Sequence, residues 1–155
     1  MRRHVILAGA LLALGGMAGA HPVEVGASVG LPRADIVPVD LSVTSPLLNA
    51  GDATVWGRAD VTFGLGTTLT PAFGASLIAQ PAERYGAFRP FVGAGATTIS
   101  STSGLELRPV VLAGLQTRFD RLGVRLDGAM IFTDYGPRVN AALGLTYRFD
   151  LGGSK

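Results

Sequence analysis

From Val23 onward the chain alternates apolar and polar or small residues with a period of two, the pattern of a strand whose faces meet different surroundings. Val23, Val25, Ala27, Val29 and Leu31 share one face, with Glu24, Gly26, Ser28 and Gly30 opposite. The pattern recurs seven times. Val37 to Val43 oppose Asp40, Ser42 and Thr44, and Val55 to Leu65 oppose Arg58, Asp60 and Thr62. Leu69 to Leu77 oppose Thr70, Gly74 and Ser76, and Phe88 to Ala96 oppose Arg89, Gly93, Gly95 and Thr97. Leu105 to Phe119 oppose Glu106, Arg108, Gly114, Gln116 and Arg118, and Val124 to Phe132 oppose Arg125 and Asp127. Val139 to Phe149 oppose Arg138, Asn140, Gly144, Thr146 and Arg148. Phe91 breaks the rule by falling on the polar side.

Turn-forming clusters separate the runs, at residues 32–35, 49–52, 81–86, 100–104, 120–123 and 134–137, with the weakest break at Gly66-Thr67. The longest connection expected is Ser45 to Ala53. Eight segments joined this way predict an all-β fold, an up-and-down antiparallel barrel that leaves no open edge. Most of the segments match the 9–11 residues a tilted strand needs to cross a bilayer.

Alternation alone does not say which face is wet. No charged residue lies on the apolar face of any run. One Arg there would cost about 2–4 kcal/mol at a bilayer midplane. The polar face combines Gly, Ser and Thr with both signs of charge: Arg58, Arg108, Arg118, Arg125 and Arg148 against Glu24, Asp40, Asp60, Glu106 and Asp127. That mixture suits a narrow interior where buried ions find partners. Candidate residues for lumen ion pairs are Arg58, Asp60, Glu106, Arg108, Arg125 and Asp127. Charged residues make up only 15% of the chain, below the about 25% usual in soluble domains, and Lys155 is its one lysine. These observations favour a transmembrane barrel with its apolar face outward. The competing expectation is a soluble periplasmic, lipocalin-like barrel that binds an apolar ligand, with Leu, Val and Phe inside and Arg58 and Arg125 solvated.

The N-terminus fits secretion. Met1-Arg2-Arg3-His4 precedes an uncharged run from Val5 to Ala20 that ends in Ala18-Gly19-Ala20, the small-x-small exit of a signal peptide. At about 16 residues the run is shorter than the roughly 20 a membrane helix needs. Residues 1–20 are therefore expected to be cleaved, leaving 21–155 as one barrel domain. Without Arg2 and Arg3 that domain carries 13 − 2 = 11 basic against 11 acidic residues. Such a balance gives no footing for nucleic-acid binding.

The chain has no cysteine, and its two histidines, His4 and His21, fall outside the strands. No nucleophile–base pair or metal-ligand cluster can be built on the strands, so the expectation is a non-enzyme without cofactor. If the N-terminus is periplasmic, Phe88, Phe119, Tyr147 and Phe149 gather at the periplasmic rim. Phe63, Phe132 and Tyr135 then gather at the outer rim, as in the aromatic girdles of membrane barrels.

Residues 142–149, Ala142-Leu143-Gly144-Leu145-Thr146-Tyr147-Arg148-Phe149, resemble the C-terminal β-signal of small eight-stranded outer-membrane β-barrel proteins. Gly144, Tyr147 and Phe149 match its positions. Ala142 stands where the pattern has a polar residue, and Asp150 to Lys155 follow where such chains usually end. Residues 89–96 similarly resemble the aromatic-plus-Gly strand opening of these proteins. The resemblance implies location in the outer membrane, contact with its lipid, and handling by the barrel-assembly machinery during insertion. It carries no activity and names no protein partner. The expected role is structural or interactive, with a lumen plugged by Arg/Asp/Glu pairs. A narrow pore of low conductance is the other outcome for the lumen, because eight strands enclose little more than their own side chains.

Overall fold

A computed structural model describes residues 22–32, 35–66, 70–101 and 104–150. The expected signal peptide, His21, parts of three connections and Leu151 to Lys155 lie outside these residues. Eight strands follow in chain order: β1 (Pro22–Gly30), β2 (Val37–Ala50), β3 (Ala53–Leu65), β4 (Thr70–Pro81), β5 (Arg89–Ser101), β6 (Gly104–Phe119), β7 (Leu122–Thr133) and β8 (Gly136–Asp150). Each pairs antiparallel with its sequence neighbours, and β1 closes on β8 from Pro22↔Asp150 to Gly30↔Ala142. The fold is a closed up-and-down barrel.

The period-two pattern becomes an inside and an outside, and the two are inverted relative to a soluble protein. Leu107 is 71% exposed and Leu143 61%, whereas Arg58 and Arg125 are 7% and 6% exposed and face the lumen. A barrel with an aliphatic and aromatic exterior and buried guanidiniums suits a lipid solvent, not water. The soluble alternative required the reverse, so it is set aside. Phe91, the exception in the pattern, points inward at 4% exposure. It faces Gly114 across the β5–β6 ladder, and a Cβ at 114 would run into its ring, so the glycine makes room for the aromatic.

One sequence expectation fails at β2. The stretch from Ser45 to Ala53 is not a long connection. Strand pairing with β3 continues to Ala50↔Ala53, leaving Gly51 and Asp52 as the turn, with Gly51 at φ 59°. Pro46 pairs with Trp56 within this ladder, and a register shift between Pro46 and Leu48 leaves Leu47 without a partner. A bulge of this kind inserts one extra residue on one strand and bends it locally. The β6–β7 turn is equally tight, with Asp120 at φ 57°, a conformation Asp tolerates better than most residues. The longest fully described connection, residues 82–88, joins β4 to β5 and is pinned by a bridge between Tyr85 and Phe88.

The two ends differ. Both strand termini, Pro22 and Asp150, share one end with the β2–β3, β4–β5 and β6–β7 turns. Phe88, Phe119, Tyr147 and Phe149 lie at this end, where Tyr147 and Phe149 form an edge-to-face pair at 4.7 Å. Phe63 and Phe132, paired with Pro71 and Pro137, lie at the other, beside the turn that carries Tyr135.

Leu143 sits at the middle of β8 between Val29 and Leu126. Leu143→Arg is expected to destabilise the barrel by about 2–4 kcal/mol. Denaturant unfolding in lipid vesicles measures this, and an unchanged midpoint would contradict the outward apolar face.

Candidate functional site

The chemistry of this barrel is concentrated in its lumen. Alternation places one inward residue per two along every strand, and cross-strand register stacks those residues into layers. The middle layer is built by β2, β3 and β7. Arg58 reaches three carboxylates: Asp40 at 2.8 Å, Asp127 at 3.3 Å and Asp60 at 3.4 Å. Arg125 lies 2.9 Å from Asp127 and donates to Ser42 Oγ at 3.1 Å. Thr62 donates to the second oxygen of Asp40 at 2.9 Å. Two guanidiniums and three carboxylates thus interlock across the lumen, a dense network for so little solvent access.

Toward the end that carries the termini, Glu24 pairs with Arg118 and accepts from Gln116 Nε2 at 3.0 Å. Gln116 also bridges to Thr146 at 3.4 Å and accepts from Gln80 at 3.5 Å. Toward the opposite end, Arg108 pairs with both Glu106 and Asp134. Asp134 lies in the turn after β7, and its contact with Arg108 holds its carboxyl below the usual range.

The six lumen residues singled out in the sequence therefore occur as three neighbouring pairs: Arg58 with Asp60, Glu106 with Arg108, and Arg125 with Asp127. The geometry adds what their spacing could not. Arg58 is the hub of four residues, Arg108 takes a turn residue as its second partner, and Ser42 orients Arg125. Gln116 and Gln80 carried no role in the sequence reading. Their inward placement was legible from the alternation, but not their partners. Of the β-signal residues, Tyr147 and Phe149 face outward, while Gly144 faces inward against Ser28 of β1, where a Cβ would stand 2.5 Å from the serine's own Cβ. Inward apolar residues were also hidden: Val110 and Leu112 of β6 and Ile78 of β4 are buried beside outward apolar neighbours, so both faces read alike.

Space remains around these layers. A cavity of about 110 Å³ lies on the side away from the termini, lined by Asp40, Arg58, Asp60, Thr62, Asp127 and Asn140 among others. A second of about 20 Å³ lies between Trp56, Phe91, Gln116 and Arg125. Arg58, Asp127 and Arg125 stand between the two. A third, of about 30 Å³, opens at the end with the termini. Among the described residues no cluster of His, Cys, Asp and Glu is placed to hold a metal ion.

The sequence matches no protein-family model and no curated protein. Its structure is similar to that of the N-terminal β-barrel domain of Pseudomonas aeruginosa OprF, with a TM-score of 0.61, 16% identity, and coverage of 83% of this chain and 97% of that one. It is also similar to the Yersinia pestis outer membrane protein Ail, with a TM-score of 0.55, 17% identity, and coverage of 83% and 99%. A third similar structure is the outer membrane enzyme PagL, at 0.52 and 15%, with coverage of 81% and 98%. This is the small outer-membrane β-barrel fold. An enzyme stands among the similar structures, so the fold leaves activity open.

Among the described residues, Asp127 is the one carboxylate within 4 Å of both Arg58 and Arg125. Asp127→Ala removes the direct ion pair of Arg125 and is expected to cost about 3 kcal/mol, read from denaturant unfolding in vesicles. A loss no larger than that of a surface substitution would mean the network adds little stability.

Proposed function

We propose that this protein is an outer-membrane barrel with a structural or interaction role, and that its lumen is closed to solutes by the ion-paired layer around Arg58. The observation that carries this reading is the inverted polarity of the barrel, apolar outside and charged within. A wall of Leu, Val and Phe has no stable place in water at this area, and it fits the hydrocarbon of a bilayer. The lumen network supports closure, because three strands contribute side chains that meet between the two inner cavities. In this reading the lumen carboxylates serve structure rather than catalysis, since arginines engage them. Residues 1–20 act in this reading as a cleaved secretion signal, the termini face the periplasm, and the turns at the other end face outward.

The experiment is gel mobility of the outer-membrane fraction, unheated against boiled, followed by conductance of the purified barrel in planar bilayers. A band that shifts on boiling, with little or no conductance, is the expected result. Protein recovered in the soluble periplasmic fraction overturns the address. Steady ion conductance by the unaltered protein overturns the closed lumen and favours a narrow pore.

Gly144, Tyr147 and Phe149 serve in this reading as the segment handed to the barrel-assembly machinery. Phe149 is outward and one residue inside the end of the closing β1–β8 ladder. Phe149→Ala is expected to lower the outer-membrane yield several-fold while the purified variant still refolds in detergent. An unchanged yield would remove the β-signal assignment.

A further inference from the structure

The lumen mouth at the end with the termini gathers more positive charge than the barrel uses. Arg84 sits in the 82–88 connection, Arg89 opens β5, and Arg118 lies near the end of β6. All three line one cavity of about 30 Å³, together with Gln80 and Gln116. Arg118 is matched by Glu24. Arg84 and Arg89 have no carboxylate partner among the described residues. The charges that bear on Arg89 are those of Arg84 and Arg148, both of its own sign. Arg148, whose own partner is Asp150 at 3.4 Å, also repels Arg118.

An arrangement of like charges around a cavity is unfavourable in a protein left to itself, and an anion in the cavity reverses the sign of that interaction. Guanidinium groups offer planar, paired donors that fit the oxygens of phosphate. Two unmatched arginines supply a charge of +2, close to the −1.5 to −2 or so that a phosphomonoester carries near neutral pH. A carboxylate has half that charge and accepts in one plane only. We propose that Arg84, Arg89 and Arg118 form a binding site for a phosphate group at this mouth of the lumen.

The group can come from free inorganic phosphate or from the headgroup of an anionic lipid, and one titration distinguishes them. Refolded protein in phosphate-free maltoside micelles is titrated calorimetrically with inorganic phosphate at constant ionic strength set by chloride. Saturable binding is expected, weakened at least tenfold by Arg84→Gln and by Arg89→Gln. Arg121→Gln, which removes the same charge from the neighbouring β6–β7 turn outside the cavity, is expected to change nothing. Arg84 lies in a connection rather than a strand, so its substitution leaves the barrel intact, and the mobility shift on boiling verifies this for each variant. The titration is then repeated in phosphatidylcholine nanodiscs with and without phosphatidic acid, whose headgroup is a phosphomonoester. Competition by the anionic lipid identifies a headgroup as occupant, and undiminished phosphate affinity identifies a free phosphate. Absence of saturable binding in micelles overturns the site. Equal weakening by Arg121→Gln also overturns it, since it would show diffuse attraction to a basic rim.

Discussion

Closure of β1 on β8 is the constraint on which the rest of this structure depends. In hydrocarbon, an unpaired backbone N–H or C=O has no water to turn to, and each such group costs several kcal/mol. A sheet of eight strands left open would expose two edges. Joining Pro22–Gly30 to Asp150–Ala142 removes both, and it does so across nearly the whole length of β1. Once the ring is closed, its circumference is fixed by strand number and stagger, and the interior is left with room for little beyond side chains.

That confinement explains the character of the lumen. Strands with one face in lipid put every charged side chain they carry into the interior. Arginine and aspartate so placed can neither reach bulk water easily nor remain unpaired. The outcome is a set of stacked networks, with Arg58 among three carboxylates and Glu24 held by Arg118 and Gln116. Small residues are the complement of these long ones. Gly74 faces Asp60 across the β3–β4 ladder, and a Cβ at 74 would press on that carboxylate, so the glycine lets the aspartate keep its place beside Arg58. Gly114 does the same for the ring of Phe91. The many glycines of this sequence are spread along strands partly because the interior alternates large and small.

The ends of the barrel obey a different rule. Beyond the hydrocarbon, backbone and charge can be solvated, so Arg108 can take a partner from the turn after β7, and at the opposite mouth arginines can outnumber the carboxylates that pair with them. An unmatched cluster of this kind in the middle layer would carry a prohibitive desolvation cost. At the rim it is tolerated, and it gives the two ends of an otherwise repetitive cylinder distinct surfaces.

The eight strands, their order and the face each residue takes were legible from residues such as Val23 to Gly30, because a side-chain period of two is a local property of extended backbone. Charge-free apolar faces told which side meets lipid, since a single misplaced arginine there would be too costly to keep. Where local rules were ambiguous the sequence misled: Ser45 to Ala53 looked like a connection, and only the β2–β3 register shows the ladder running on to Ala50↔Ala53. Val110 and Leu112 sat among outward neighbours with nothing to mark them as interior. Pairing was the larger gap. Arg58 and Asp127 lie 69 residues apart, as do no two groups that spacing could connect, and their meeting depends on the ring being closed. The sequence by itself determined that its strands form an inverted barrel. Which charges meet across the lumen, and which arginines are left over at its mouth, was decided by the tertiary structure, because those distances are set by register and closure.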